Sequence, residues 1–337
     1  TLRRTILSHI GNPVPKRYTK NFAAYNLYLK GRYHWNLRTR ADMAQAIRYF
    51  EQAIAEDPQY ALAYSGLADS YSLQLDYREV PVAEGMGRAK AQAQRALELD
   101  ESLAEAHTSL GWITFLYDWD WEAAEARFRR AIELNPRYAT AYQWYAWLLV
   151  TCGRIEEALA AGRAALALDR ASVSIRRAVG WLNLVARRWD LSTQHLETAI
   201  TMDPTSQENH RLLGLALMHQ GRLDDAARSL QEAVSLSDRS AYALASLGYF
   251  EAKRGQLRVA ETLLTELHER SAELYVSPVA FVWLYLGLDD TDQAFRWLER
   301  AHEERRGWLA YLKVDPFLDS VRGDPRLAEL IHRMRLA

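Results

Sequence analysis

Five aromatic residues, Trp112, Trp147, Trp181, Tyr249 and Trp283, recur along this chain at a spacing close to 34 residues, with Leu215 filling the one gap in the series. Four residues before three positions of that series stand Gln143, Arg177 and Arg211. On a helix, side chains four apart share a face. A strip of indole and phenol rings beside two guanidinium groups can do recognition chemistry: flat apolar contact, joined to charge-assisted hydrogen bonds with a carboxylate or another anion. The same rings could instead pack against neighbouring helices and merely widen a core. Both readings stand at this point.

Residues able to make or break bonds do not assemble in this way. No two of the nine histidines lie four apart, and none stands with carboxylates at metal-ligand spacing, so a zinc or di-iron centre is not expected. Gly85-Met86-Gly87-Arg88-Ala89-Lys90 is glycine-rich, but it lacks the phosphate-loop spacing and a preceding strand; it reads as a turn between helices. Cys152 is the only cysteine, which excludes a disulfide framework within the chain. It falls on an apolar segment without a histidine partner, and a buried, inert thiol is expected. The chain is expected to be non-enzymatic, with no cofactor and no metal.

The elements that must position the strip follow from the same period. Segments beginning at Ala139, Val173, Gln207 and Ala241 start 34 residues apart. Small residues recur in register at Ala146, Gly180, Gly214 and Gly248, and again at Ala158, Ala226 and Ala260. They allow two helices to approach to about 8–10 Å, while large neighbours such as Leu196, Leu230 and Leu264 fill the grooves. Gly153, Gly221 and Gly255 fit the left-handed residue that ends a first helix. Pro58, Pro136 and Pro204 stop the second, because proline cannot continue a helix. This period and pattern are identified as those of tetratricopeptide repeats, one helix–turn–helix per unit.

The register extends outward with insertions. Three extra residues fall near Leu37–Arg40, nine around Arg78–Met86, and one in the tryptophan-rich turn Asp118–Trp121. An eighth, degenerate unit reads Pro278–Leu286, then Ala294, Leu298 and Ala301. The expected fold is therefore all-α, a right-handed superhelix of about eight repeats over residues 22–306. Residues 307–337 form its C-terminal cap, through an amphipathic run with Leu327, Leu330, Ile331 and Met334. First helices should line a concave groove, with the aromatic strip facing it.

Residues 1–21 read as a basic linker and the tail of a helix, Thr1–Ile10, severed from something upstream; Pro13 and Pro15 mark the linker. The first 41 residues hold nine Lys or Arg, including Lys16, Arg17 and Lys20, and no Asp or Glu. The remainder holds 33 basic and 43 acidic residues, an imbalance that the net charge of −1 hides. Such a basic stretch is either a solvated linker or a contact with an acidic surface or nucleic acid. No apolar stretch reaches the ~20 residues that span a bilayer.

Three segments narrow the resemblance further: Tyr25-Asn26-Leu27-Tyr28-Leu29-Lys30-Gly31-Arg32-Tyr33-His34-Trp35-Asn36, Tyr117-Asp118-Trp119-Asp120-Trp121, and Gly307-Trp308-Leu309-Ala310-Tyr311-Leu312-Lys313-Val314-Asp315-Pro316. They resemble the C-terminal repeat arrays of large bacterial regulators. There such arrays follow a winged-helix DNA-binding, Ser/Thr kinase or nucleotide cyclase domain, often with a TolB-like module between. The resemblance implies a scaffold or sensory domain that binds a protein or peptide, the chain's own upstream domain among the candidates, without direct nucleic-acid binding by the array. It implies a cytoplasmic setting, or a periplasmic one if a membrane span lies upstream. Two rival functions stay open, a small-molecule sensor and an intramolecular regulatory arm. The Lys/Asn clamp of chaperone-binding repeats is missing, since the matching positions carry Ser65, Asp69, Thr108 and Trp112.

Overall fold

The computed structural model describes residues 19–74 and 82–336, and every helix pair in it is a hairpin. In chain order the pairs are Phe22–Leu37 (α1) with Arg40–Glu56 (α2), Ala61–Gln74 (α3) with Val82–Leu99 (α4), and Ala104–Ile113 (α5) with Trp121–Leu134 (α6). Ala139–Thr151 (α7) pairs with Ile155–Leu168 (α8), Val173–Val185 (α9) with Trp189–Met202 (α10), and Gln207–His219 (α11) with Leu223–Leu236 (α12). Ala241–Lys253 (α13) with Leu257–Glu273 (α14), and Pro278–Gly287 (α15) with Thr291–Glu303 (α16), complete eight units. The architecture is an all-α solenoid, with no strand among the described residues. The basic linker and helix remnant expected before Thr19 lie outside those residues.

Each described hairpin turn uses the same backbone device. Gly153, Gly221 and Gly255 carry φ of +75°, +75° and +88°, and Arg38, Trp119, Arg187 and Asp289 take φ of 56–61° at the equivalent places. Glycine adopts this region freely and other residues at a cost, so three glycines were legible in sequence and four substitutes were not. Inter-repeat turns use a second device. Asp57, Asn135, Asp169 and Asp203 follow the second helix, and each side chain accepts the backbone N–H two residues on, at 3.0–3.2 Å. These short polar side chains close the turn in place of the helix.

Close helix approach is visible at Phe50, whose ring lies between Gly31 and Gly66; a Cβ on either glycine would come within 2.6 Å of it. At Gly214 the same added atom would meet Leu230 at 2.5 Å.

Three local expectations are corrected. Gly85–Lys90 lies inside α4, with Met86 4% exposed, so it is helix and not turn. Alanines at 89, 93 and 96 give that helix a buried stripe that carries it back through the glycines. Cys152 is exposed, because it caps the C-terminus of α7 and the apolar stripe ends at Thr151. The extra residue near Asp118 is absorbed by a π-helical turn, Thr114–Asp118, which widens the helix by one residue before Trp119 reverses the chain.

The C-terminal segment does more than cover the eighth repeat. Helix Pro325–Arg333 (α17) buries Leu327 and Leu330 in the core cluster that also holds Leu298 and Ala301, and it pairs with α16 through Arg326–Asp292 and Arg333–Glu299. Before it come two 3-10 turns: Gly307–Tyr311 places Tyr311 against Phe115, Trp147 and Trp181 of the third, fourth and fifth repeats, and Pro316–Val321 meets Arg187, Tyr249 and Trp283 of the fifth, seventh and eighth. The Trp121 indole donates to the carbonyl of Met334 at 3.1 Å, Arg305 donates to that of Tyr117 at 2.8 Å, and Arg187 pairs with Asp319 at 2.6 Å. The array thus closes on its own C-terminus. We call residues 307–321 the strap.

Candidate functional site: the strap-closed concave groove

First helices present one face inward, and the strap turns the resulting groove into a chamber of about 740 Å³. Its walls include Trp112, Trp147, Trp181, Tyr249, Trp283, Gln143, Arg177 and Arg211. The spacing argument therefore brings all eight sequence-selected residues to one space. Their environments differ. Trp112 and Trp283 are each 4% exposed and Tyr249 7%, whereas Trp147, Trp181 and Arg177 are only partly buried.

The rings form two clusters, one on each side of the Leu215 position. Trp112 lies on Trp144, with centroids 4.7 Å apart, and Trp147 lies on Trp181 at 4.8 Å. From the strap, Tyr311 meets Trp181 edge-on at 4.8 Å, and Phe317 stacks on Trp283 at 4.4 Å. Offset and edge-to-face pairs of this kind add about 0.5–1.5 kcal/mol each beyond their buried area. Among the described residues, the indole N–H groups of Trp112, Trp147 and Trp283 meet no acceptor. Ring packing holds the ladder together.

The two arginines have different roles. Arg211 is buried, grips Glu208 through two hydrogen bonds of 2.6 and 2.8 Å, donates to Ser246 at 3.2 Å and lies over the Trp283 ring. Burial opposes the Glu208 charge, but Arg211, with Arg177 further off, outweighs it and the carboxyl pKa is lowered. Arg177 makes no hydrogen bond or ion pair within the described residues. On the strap, Asp315 accepts the Trp308 indole at 2.7 Å and the Phe317 backbone N–H at 2.9 Å. Burial raises its pKa despite those donors.

At the N-terminal end of the inward face, Arg32 pairs with buried Asp69 at 3.2 Å, and the Ser109 hydroxyl also donates to Asp69. Desolvation pushes the Asp69 carboxyl up to about 6, against the pull of Arg32. This pair occupies the same repeat position as the tryptophans, so the aromatic strip begins only at the third repeat.

Several lining residues escaped sequence reasoning. Trp144 lies one helical turn before Trp147 and could have been found by spacing. Trp308, Tyr311 and Phe317 carry no repeat signal, because they belong to the strap. Among the described residues, no group of three or more His, Cys, Asp or Glu is placed to hold a metal, and no helix is long and apolar enough to cross a membrane.

Residues 128–160 match one tetratricopeptide-repeat family model, and residues 178–243 and 212–273 match a second. The hairpins within those residues are tetratricopeptide repeats. The array is 24% identical over 307 residues to the transcriptional regulator HilA of Salmonella typhimurium, a match that covers 88% of this chain and 53% of the regulator. The chain thus spans about half the length of that relative. Among solved structures, a monomeric mutant of IFIT1 with Gppp-AAAA aligns with a TM-score of 0.62 at 16% identity, covering 99% of this chain and 75% of that one. Pseudomonas aeruginosa pilF aligns at 0.50 with 17% identity, over 70% of this chain and 97% of its own. At these identities the structural likenesses establish the tetratricopeptide fold alone.

Proposed function

We propose that the array is the partner-binding module of a bacterial regulatory protein, and that the concave groove is its binding surface. The observation that carries the reading is the convergence of the aromatic strip, Arg177, Arg211 and Gln143 on one chamber. Helical-repeat solenoids use extended concave surfaces of this kind for recognition, and the likeness to the transcriptional regulator HilA favours a regulatory setting. The partner is a protein or peptide segment with apolar side chains and an acidic group, supplied by another chain or by this protein's own upstream region. It engages repeats three to seven, with Tyr311 and Phe317 of the strap giving way to its side chains. The array acts by binding and not by catalysis.

Selection of random peptides on the full chain tests this. Sequences combining an aromatic or aliphatic residue with an acid are expected. Trp147→Ala combined with Trp181→Ala should weaken them on the order of 30-fold, the loss of about 2 kcal/mol that an aromatic anchor commonly carries. Arg177→Glu should act through charge, with a loss that shrinks in high salt. Peptides that bind the double variant as tightly as the parent would place the site elsewhere.

A further inference from the structure

The strap narrows the groove, and its chemistry is selective. We propose that the chamber also binds a small organic monocarboxylate with a flat apolar body, Arg177 taking the carboxylate and the Trp147–Trp181 stack forming the wall. The inference rests on reading the groove as the binding surface, and it adds an effector to the partner proposed above.

Size is the first argument. An open solenoid groove admits a chain that runs through it, but here Tyr311 and Phe317 stand inside, against Trp181 and Trp283. What remains is about 740 Å³, within the ~300–1,000 Å³ of small-molecule sites. Charge is the second argument. Five arginines but only three acidic residues line the chamber. Glu208 is held by Arg211, and Asp315 is engaged by the Trp308 indole and a backbone N–H. Arg177 has no such partner among the described residues, and its positive field reaches Glu208. One partly buried guanidinium without a hydrogen-bonded acid calls for one negative charge, which favours a carboxylate over a phosphate dianion. Register is the third. Arg177 precedes Trp181 by one helical turn, so cation and indole share a face, and a carboxylate on the first would lay its apolar body on the second. A ligand there would touch both a first helix and the strap, and so would hold the strap closed against a partner segment.

Calorimetric titration of the full chain with phenylacetate and indole-3-acetate, with their neutral amides as controls, decides the matter. The carboxylates should bind about tenfold or more tightly than the amides, the difference a charge-assisted hydrogen bond supplies. Arg177→Gln should reduce the carboxylates to the level of the amides while its melting curve stays that of the parent. Arg163→Gln, at an exposed position on α8, should leave binding unchanged. Equal binding of acid and amide, undiminished binding to R177Q, an equal loss in R163Q, tighter binding of phenyl phosphate, or no binding of either carboxylate to the folded chain would each overturn the proposal. Selected peptides that still bind the parent under any of those outcomes would leave the partner-binding reading intact. Loss of the peptides alone would remove that reading and not this one.

Discussion

Trp283 of the eighth repeat lies flat on Phe317 of the strap, with centroids 4.4 Å apart and planes 8° from parallel. Trp283 repeats the position of Trp181 and Trp147, which meet Tyr311 of the same strap. The strap therefore touches the aromatic strip at its middle and at its C-terminal end, and completes the inner wall that the repeats begin.

Removing residues after Arg306 should consequently do more than fray one end. It uncovers Leu298 and Ala301 of the last repeat together with the inner face of Trp147 and Trp181. Aggregation in size-exclusion chromatography and an early thermal transition are expected. Phe317→Ala, at a side chain only 5% exposed, should on its own destabilise by about 3–5 kcal/mol. A truncated chain that remains monomeric with unchanged melting would show that the strap is dispensable.

Gly214→Leu tests the repeat register. The first added carbon would lie 2.5 Å from Leu230 Cγ and 3.2 Å from the Ala226 carbonyl oxygen. One of those neighbours is backbone and cannot rotate away. Overpacking of this kind costs about 1–3 kcal/mol or more, readable as a lower urea midpoint at constant slope. An unchanged midpoint would mean that the helices do not cross there.

Asp69 should give the protein a pH signature. Its carboxyl is raised from an ordinary 3.8 to about 6 by burial, so the folded state holds a proton that the unfolded chain has already released. The favourable contribution is complete below about pH 4 and is lost as pH rises through 6, on the order of 3 kcal/mol in all. Asp69→Asn should remove that fall, and the difference in urea midpoint between parent and variant across pH 4–7 isolates it from other groups. Parallel profiles for the two proteins would contradict the burial of this charge.

The sequence by itself determined the period, the hairpins and the inward strip, because each is a local matter. A residue that must be small at a helix crossing, or left-handed at a turn, is constrained by neighbours within one or two repeats. Spacing therefore brought Trp112, Trp147, Trp181, Tyr249 and Trp283 to one surface without reference to any distant contact. It could not decide whether those rings are core or wall, and the answer is divided: Trp112 and Trp283 are buried, while Trp147 and Trp181 keep an open side. Nor could it foresee that Glu208 would claim Arg211 and leave Arg177 without an acid. A charge three residues away on the same helix looked no different in sequence from any other.

Only the tertiary structure decided that the array closes on itself. Trp121 and Met334 are joined by a hydrogen bond across 213 positions of sequence, and Arg305 and Tyr117 across 188. Such contacts depend on the small rotation between successive hairpins, accumulated over five repeats, which no single repeat encodes in its own pattern. The same accumulated curvature brings the strap to the first helices, and it turns a row of aromatic positions into a chamber.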